Sequence, residues 1–116
     1  MLLKIFKNSL KILKLFKEKY KSYYDKTVYD ELKPVALKFA KYFEDENQIG
    51  NAILVYNTLL DLDRFDYESL INKGRLYEIR GKYYLALHAY EQAYPLNPND
   101  EIQFKISNLL AKIRTK

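Results

Sequence analysis

Apolar residues recur every three or four positions along most of this chain, as they do on one face of an α-helix. Breaks separate the helical stretches, and Gly81 and Pro95 mark two of these breaks. Pro34 suits the first turn of a helix, where its missing N–H costs nothing, and Thr27 with Asp30 resembles a loose capping pair before it. The pattern predicts an all-α chain with helices over 2–24, 34–45, 49–61, 67–80 and 82–94, and a last helix from Asn99 or Asp100.

The first stretch, residues 2–24, is strongly amphipathic. Its lysines step by three or four residues, so they share one face of the helix, while apolar residues with the same step share another. No apolar run in the chain approaches the ~20 residues that span a bilayer. The lysine face consists of Lys4, Lys7, Lys11 and Lys14, and the apolar face contains Leu3, Phe6, Leu10 and Leu13.

Positive charge is concentrated in this first stretch. Residues 1–24 hold seven lysines against one glutamate, a net charge of +6. Residues 25–116 hold 13 basic and 14 acidic residues, a net charge of −1. The net charge of the chain, +5, therefore comes from its first helix.

The length of 116 residues suits one domain with a modest core, so residues 1–116 are predicted to form a single domain. The chain has no cysteine, which excludes disulfides and a thiolate metal site. That composition fits a reducing compartment and predicts a cytoplasmic protein, with membrane association kept open for the basic helix.

Residues 67–100 carry the most specific pattern in the chain. Small residues, Gly74, Ala86 and Ala93, lie where two helices would touch, and large residues recur around them at helical spacing. In its length and at nearly every signature position the segment resembles the tetratricopeptide repeat. The resemblance implies an antiparallel helix pair in a short α-solenoid that binds proteins or peptides and carries no chemistry. The large residues are Leu70, Tyr77, Tyr83 and Tyr90, and Leu96, Asn97 and Pro98 close the segment.

Residues 33–66 form a degenerate second copy of this pattern, which directly precedes the first. Leu59 replaces Ala93 and Asn47 replaces Gly81, so the match is partial. Residues 101–116 supply one more helix, which in such an array would be a solvating cap. About three units are usually needed for stability, so the helix 2–24 is expected to cover the exposed end of the first pair. The matching pairs are Ala40 with Gly74, Phe43 with Tyr77, Ala52 with Ala86, and Tyr56 with Tyr90.

The resemblance further implies a concave groove lined by the first helix of each pair. Lys41 and Arg75 share one repeat position, so they would lie side by side and bind an acidic segment of a partner. The alternative is that both are merely solvated. Asn72 matches a carboxylate-clamp position of some family members, but apolar or acidic residues at the other clamp positions exclude that clamp. The predicted groove residues are Leu37, Lys41, Glu44, Glu68, Ile71, Asn72, Arg75, Ile79 and Lys105.

No catalytic, cofactor or metal site is predicted. His88 is the sole histidine and falls at an outward position, with no nucleophile or acid placed to pair with it. Asp61, Asp63 and Asp66 lack the central Gly and closing Glu of a calcium loop, so they are interpreted as loop and helix-end acids.

The expected function is therefore non-enzymatic: an adaptor or assembly scaffold that binds a protein or peptide. For the basic helix three interpretations stay open, namely packing on the repeats, pairing with another chain as in a homodimer, and binding to an anionic membrane surface. The last of these makes a peripheral membrane-binding module the alternative function. Nucleic acid is disfavoured as a partner, because the segment is mostly lysine and contains no known nucleic-acid module.

Overall fold

The computed structural model describes residues 26–115, without the side chains of 26–28, together with Lys4, Lys7, Asn8 and Lys11. This part of the chain is helical and contains no strand, which confirms the all-α prediction. The chain divides into two compact units, residues 1–64 and 65–116. The helices are α1 (Lys26–Asp45), α2 (Ile49–Leu62), α3 (Tyr67–Ile79), α4 (Tyr83–Ala93) and α5 (Asp100–Arg114), with a 3-10 turn at Tyr94–Leu96.

Helix α1 begins eight residues earlier than the sequence predicted, so Pro34 lies inside it and Thr27 does not cap it. A proline within a helix costs about 3 kcal/mol, because it removes one backbone hydrogen bond, here to the carbonyl of Asp30. Both Pro34 and Asp30 are exposed, so water can reach that carbonyl. Tyr29 and Ala36, seven residues apart, are both buried, and their burial stabilises the helix on either side of the proline.

The first unit is built by α1 packing against α2. Ala40, Phe43 and Ala52 have no exposed surface, as expected for residues at a helix–helix contact. Helix α2 is apolar around much of its circumference, since Val55 and Thr58 are buried in addition to the face that its sequence pattern predicted. That predicted face consists of Ala52, Ile53, Tyr56 and Leu59, which are buried, and Leu60, which is half-buried.

The second unit packs α4 between α3 and α5. Its central contact joins Gly74 of α3 and Tyr90 of α4: a Cβ atom added to Gly74 would lie only 2.7 Å from the tyrosine ring. Ala86 and Ala93 of α4 are fully buried, as the spacing of small residues predicted. The core cluster around Tyr90 also includes Ile102 and Leu109 of α5.

The two helix pairs have the same turn geometry at equivalent positions of the repeat. Asn47 and Gly81 both have positive φ, 57° and 71°, and end the first helix of their pairs. The following residue donates its N–H to the carbonyl five residues earlier, at 2.7 Å for Gln48 to Phe43 and 2.9 Å for Lys82 to Tyr77. Residues that can adopt positive φ thus end α1 and α3 in the same way.

Helix α5 begins at a side-chain cap, as the sequence predicted. Asn99 Oδ1 accepts a hydrogen bond from the Ile102 N–H at 3.0 Å, and Asn99 Nδ2 donates to the Tyr67 hydroxyl at 2.9 Å. The exposed residues of α5 are polar apart from Ala111 and Phe104, and Phe104 is 70% exposed although it shares a repeat position with the buried Leu70. This is the solvated surface expected of a capping helix.

The N-terminal helix 2–24 falls mostly outside the described residues. Lys4, Lys7 and Lys11 are helical and exposed, as predicted for the lysine face. Lys14 and the apolar face of this helix lie outside the described residues.

Candidate functional site

In the first unit, the predicted groove residues lie on the C-terminal half of α1. Lys41 is exposed, whereas Leu37 and Glu44 are half-buried. The Glu44 carboxylate accepts a hydrogen bond of 3.5 Å from the hydroxyl of Tyr56 on α2. Among the predicted groove residues, this part of α1 therefore offers an exposed ammonium group, a half-buried apolar side chain and a carboxylate that is already hydrogen-bonded.

In the second unit, the predicted residues of α3 form a polar chain with an apolar end. Arg75 Nη2 donates to Asn72 Oδ1 at 3.0 Å, and Asn72 Nδ2 donates to the Glu68 carbonyl at 2.9 Å. These bonds hold the guanidinium and the amide in a fixed orientation. Ile79, one turn beyond Arg75, is 61% exposed, while Ile71 is half-buried. This side of α3 thus combines an exposed apolar side chain with polar side chains that are hydrogen-bonded to each other.

A second network joins all three helices of this unit. The Tyr90 hydroxyl donates to Glu78 Oε1 at 2.6 Å, and Lys105 Nζ lies 3.9 Å from the same oxygen. Lys105 Nζ also lies 5.6 Å from the centroid of the Tyr90 ring, within the range of a cation–π contact. Burial raises the pKa of the Tyr90 phenol well above its ordinary value, and the adjacent Glu78 carboxylate raises it further. The phenol is therefore a neutral donor that fixes Glu78 and, through it, Lys105.

Sequence reasoning placed Lys105 at this face but did not single out Glu78. The repeat register contained the signal, because Glu44 and Glu78 occupy one repeat position, and Tyr56 and Tyr90 occupy another. The same tyrosine-to-glutamate hydrogen bond occurs in both units, at 3.5 Å and 2.6 Å. The recurrence of this polar pair in the two repeats indicates that it positions the first helix of each pair against the second.

The predicted groove residues fall in two units, with Lys41 in the first and Arg75 in the second. Each unit presents its own share of them, as described above. That Lys41 and Arg75 lie side by side stays a prediction.

Helix α4 also exposes apolar side chains. Tyr84 and Leu85 are exposed, and His88 is exposed on the same helix. The exposure of His88 confirms its predicted outward position. Tyr84, Leu85 and His88 together form the outer face of α4, which binding experiments can compare with the exposed side of α3.

Two of the three acids that superficially suggest a calcium loop lie directly at helix ends. Asp63 terminates α2, and its N–H donates to the Leu59 carbonyl at 2.8 Å. Asp66 precedes α3 and accepts a 2.6 Å hydrogen bond from the Ser69 hydroxyl. Among the described residues, no group of three or more His, Cys, Asp or Glu side chains is placed to hold a metal ion.

No helix in the described part of the chain has the length and apolar character needed to cross a bilayer. No protein-family model matches this chain, and a search of curated proteins gives no significant match. Its function must therefore be inferred from its own residues and geometry.

Proposed function

We propose that this chain is a tetratricopeptide-like interaction module, an adaptor or scaffold that binds a protein or peptide without catalysing a reaction. In each helix pair the binding face would be the exposed side of the first helix, and in the second unit Lys105 of α5 would contribute to that face. Under this proposal the protein acts in the cytoplasm, and its partner is a polypeptide with acidic and apolar side chains.

The observation that carries the proposal is the repeat of the helix pair, which appears at three independent levels. Small residues recur at the helix contacts, with Ala52 and Ala86 both fully buried. The turns at Asn47 and Gly81 have the same backbone geometry. The tyrosine-to-glutamate hydrogen bond recurs between equivalent positions. Repeats of this length and chemistry are typical of helix-pair arrays whose function is recognition.

The chemistry of the face supports a peptide as its ligand. Lys41 supplies an exposed cation, and Arg75 and Asn72 supply oriented donors on α3. Ile79 supplies exposed apolar surface on the same helix. Cations and apolar surface together suit an acidic segment with apolar anchors, since the apolar contacts supply affinity and the charges supply orientation.

Site-specific photocrosslinking would test this proposal. A benzophenone side chain would replace Ile79 in one variant and His88 in another, and both would be irradiated in lysate of the source cell. We expect the position-79 variant to form one or a few discrete adducts and the position-88 variant to form none of them, because only the α3 face contacts the partner.

The same adducts from position 88 alone would move the binding surface to the outer face of α4. Smears of equal strength at both positions would argue against a specific partner. Each replaced side chain is exposed, so both variants should stay folded. Circular dichroism checks this.

A further inference from the structure

The described residues of the N-terminal segment form a basic face. Lys4, Lys7 and Lys11 are helical and exposed, and Asn8 lies among them, also exposed. Steps of three and four residues put their side chains within about a third of the helix circumference. The face extends over about 10 Å along the helix axis, since seven residues separate Lys4 from Lys11.

Acidic side chains are absent from this part of the sequence. Residues 1–17 contain five lysines and no Asp or Glu, so no neighbour in the segment offsets the charge of the three exposed lysines. By contrast, residues 25–116 have a net charge of −1. A strong local charge on an otherwise balanced chain is a feature that a ligand of opposite charge can recognise.

We propose that Lys4, Lys7 and Lys11 form a docking face for an anionic membrane surface, such as a bilayer rich in phosphatidylserine. The contact is electrostatic: the ammonium groups lie against the phosphate and carboxylate groups of the lipid headgroups. It uses only the basic face, so the apolar positions of the segment remain available for packing against protein. The proposal is independent of the peptide-binding function and would place that function at a membrane surface.

The excess of positive charge is confined to the N-terminal segment, and this favours a membrane over nucleic acid as the ligand. The affinity of a protein for a duplex or a single strand depends on several phosphate contacts along the length of the nucleic acid. Residues 25–116 have a net charge of −1, so no comparable excess of positive charge continues the face along a long polyanion. A bilayer requires only one local patch, because anionic lipids diffuse and collect beneath it. Lysine, a compact point charge that needs no paired geometry, suits such a surface.

Vesicle co-sedimentation of the full chain tests the proposal. The vesicles would be phosphatidylcholine alone or phosphatidylcholine mixed with phosphatidylserine, each at low and high salt. We expect binding to the anionic vesicles only, with loss of binding at high salt because the contact is screened. Replacing Lys4, Lys7 and Lys11 together by Gln should weaken partitioning about a hundredfold, since each lysine contributes roughly fivefold.

A matched control removes three other exposed cations, Arg80, Lys82 and Arg114, by replacement with Gln. It changes the net charge equally and should bind as the parent does. Equal weakening by both triple variants would overturn the proposal, because binding would then follow net charge alone. Failure of the parent to bind anionic vesicles would also overturn it. So would tighter binding to a labelled single-stranded oligonucleotide than to the vesicles, since that result would assign the face to nucleic acid.

Discussion

Gly74 lies close to the ring of Tyr90, and the effect of adding one methyl group at this contact can be estimated. Gly74→Ala should gain about 1 kcal/mol in helix propensity. The new Cβ would lie 2.7 Å from a fully buried ring that has no room to move, an overpacking that costs about 1–3 kcal/mol. We expect a net loss of about 1 kcal/mol, measured as a lower urea midpoint.

A double-mutant cycle identifies the cause of that loss. In the Tyr90→Leu background the ring is gone, so Gly74→Ala should become neutral or stabilising through helix propensity alone. A loss of the same size in both backgrounds would show that the close contact with the ring is not responsible.

The Tyr90 hydroxyl should make the stability of the protein depend on pH. Tyr90→Phe removes the 2.6 Å hydrogen bond to Glu78 and should cost about 1.5 kcal/mol near neutral pH. This loss is at the lower end of the range for a hydrogen bond to a charged acceptor. Without the tyrosine hydroxyl, the Glu78 carboxylate still has Lys105 close to it and is partly exposed to water.

The raised pKa of Tyr90 sets the sign of this dependence. The unfolded phenol ionises near pH 10, whereas the folded phenol stays neutral to higher pH. Its contribution is therefore fully present below about pH 10 and declines as the pH rises above that value. The stability gap between the parent and Tyr90→Phe should shrink between about pH 9 and pH 11 in urea titrations. A constant gap would mean that the buried phenol ionises as readily as an exposed one.

At the scale of single residues, the packing role of small residues was easier to predict from the sequence than the pairing of polar residues. Gly74, Ala86 and Ala93 stand out because small residues at helical spacing indicate positions where two helices pack closely. Glu78 does not stand out, since a glutamate in an amphipathic helix is usually solvated. Its role can be inferred only from the repeat register, which matches Glu78 with Glu44 and Tyr90 with Tyr56, or from the structure, where the Tyr90 hydroxyl donates to it.

The two turns between the paired helices give a prediction at the scale of elements. Gly81 has φ of 71° and open space around it, so Gly81→Ala should cost about 1–2 kcal/mol through backbone strain alone. Asn47 has φ of 57° and already bears a side chain, so Asn47→Ala should cost less, and Asn47→Gly should be neutral or slightly stabilising.

Thermal unfolding of the three variants, with helix content as a check on folding, measures these differences. Equal costs for the alanine variants at positions 47 and 81 would show that asparagine tolerates the left-handed backbone at this turn as well as glycine does. A destabilising Asn47→Gly would mean that the asparagine side chain contributes an interaction of its own.

Among the elements, the helices of the second unit were predicted within one residue at most ends, because Gly81, Pro95 and Asn99 act locally on the backbone. The predicted start of α1 was wrong, because proline is common in the first turn of a helix and Pro34 therefore predicted its beginning. Burial of Tyr29 and Ala36 outweighs the lost hydrogen bond, and burial is a tertiary effect that local sequence does not reveal. The same reason explains why Val55 was missed on α2.

For the whole molecule, the N-terminal helix gives the next prediction. If its apolar residues cover the first helix pair, each buried side chain contributes about 1.5–3 kcal/mol. Domains have only about 5–15 kcal/mol of net stability, so removal of residues 1–24 should unfold or aggregate the remainder. Circular dichroism and light scattering of the fragment 25–116 check this outcome. A stable, monodisperse fragment would show that the helix is an independent arm.

The larger arrangement was the least predictable from sequence. The repeat register assigned equivalent positions such as Lys41 and Arg75, because repeats preserve local contacts. Register does not determine how one helix pair sits on the next, which depends on side-chain packing between pairs. Each helix pair therefore has its own share of the predicted groove residues, and binding measurements on variants in both pairs test whether these residues act together.

The most direct test of the central claim is the affinity of a partner captured by photocrosslinking, measured by calorimetry. Lys41→Glu with Arg75→Glu should weaken binding at least about tenfold, because two attractive contacts become repulsive. The control, Lys82→Glu with Arg114→Glu, makes the same change in net charge at exposed positions that are not among the predicted groove residues and should bind as the parent does. Helix content should be preserved in both variants. Unchanged affinity in the Lys41 and Arg75 variant, or equal weakening in both, would contradict recognition through the first helices of the pairs.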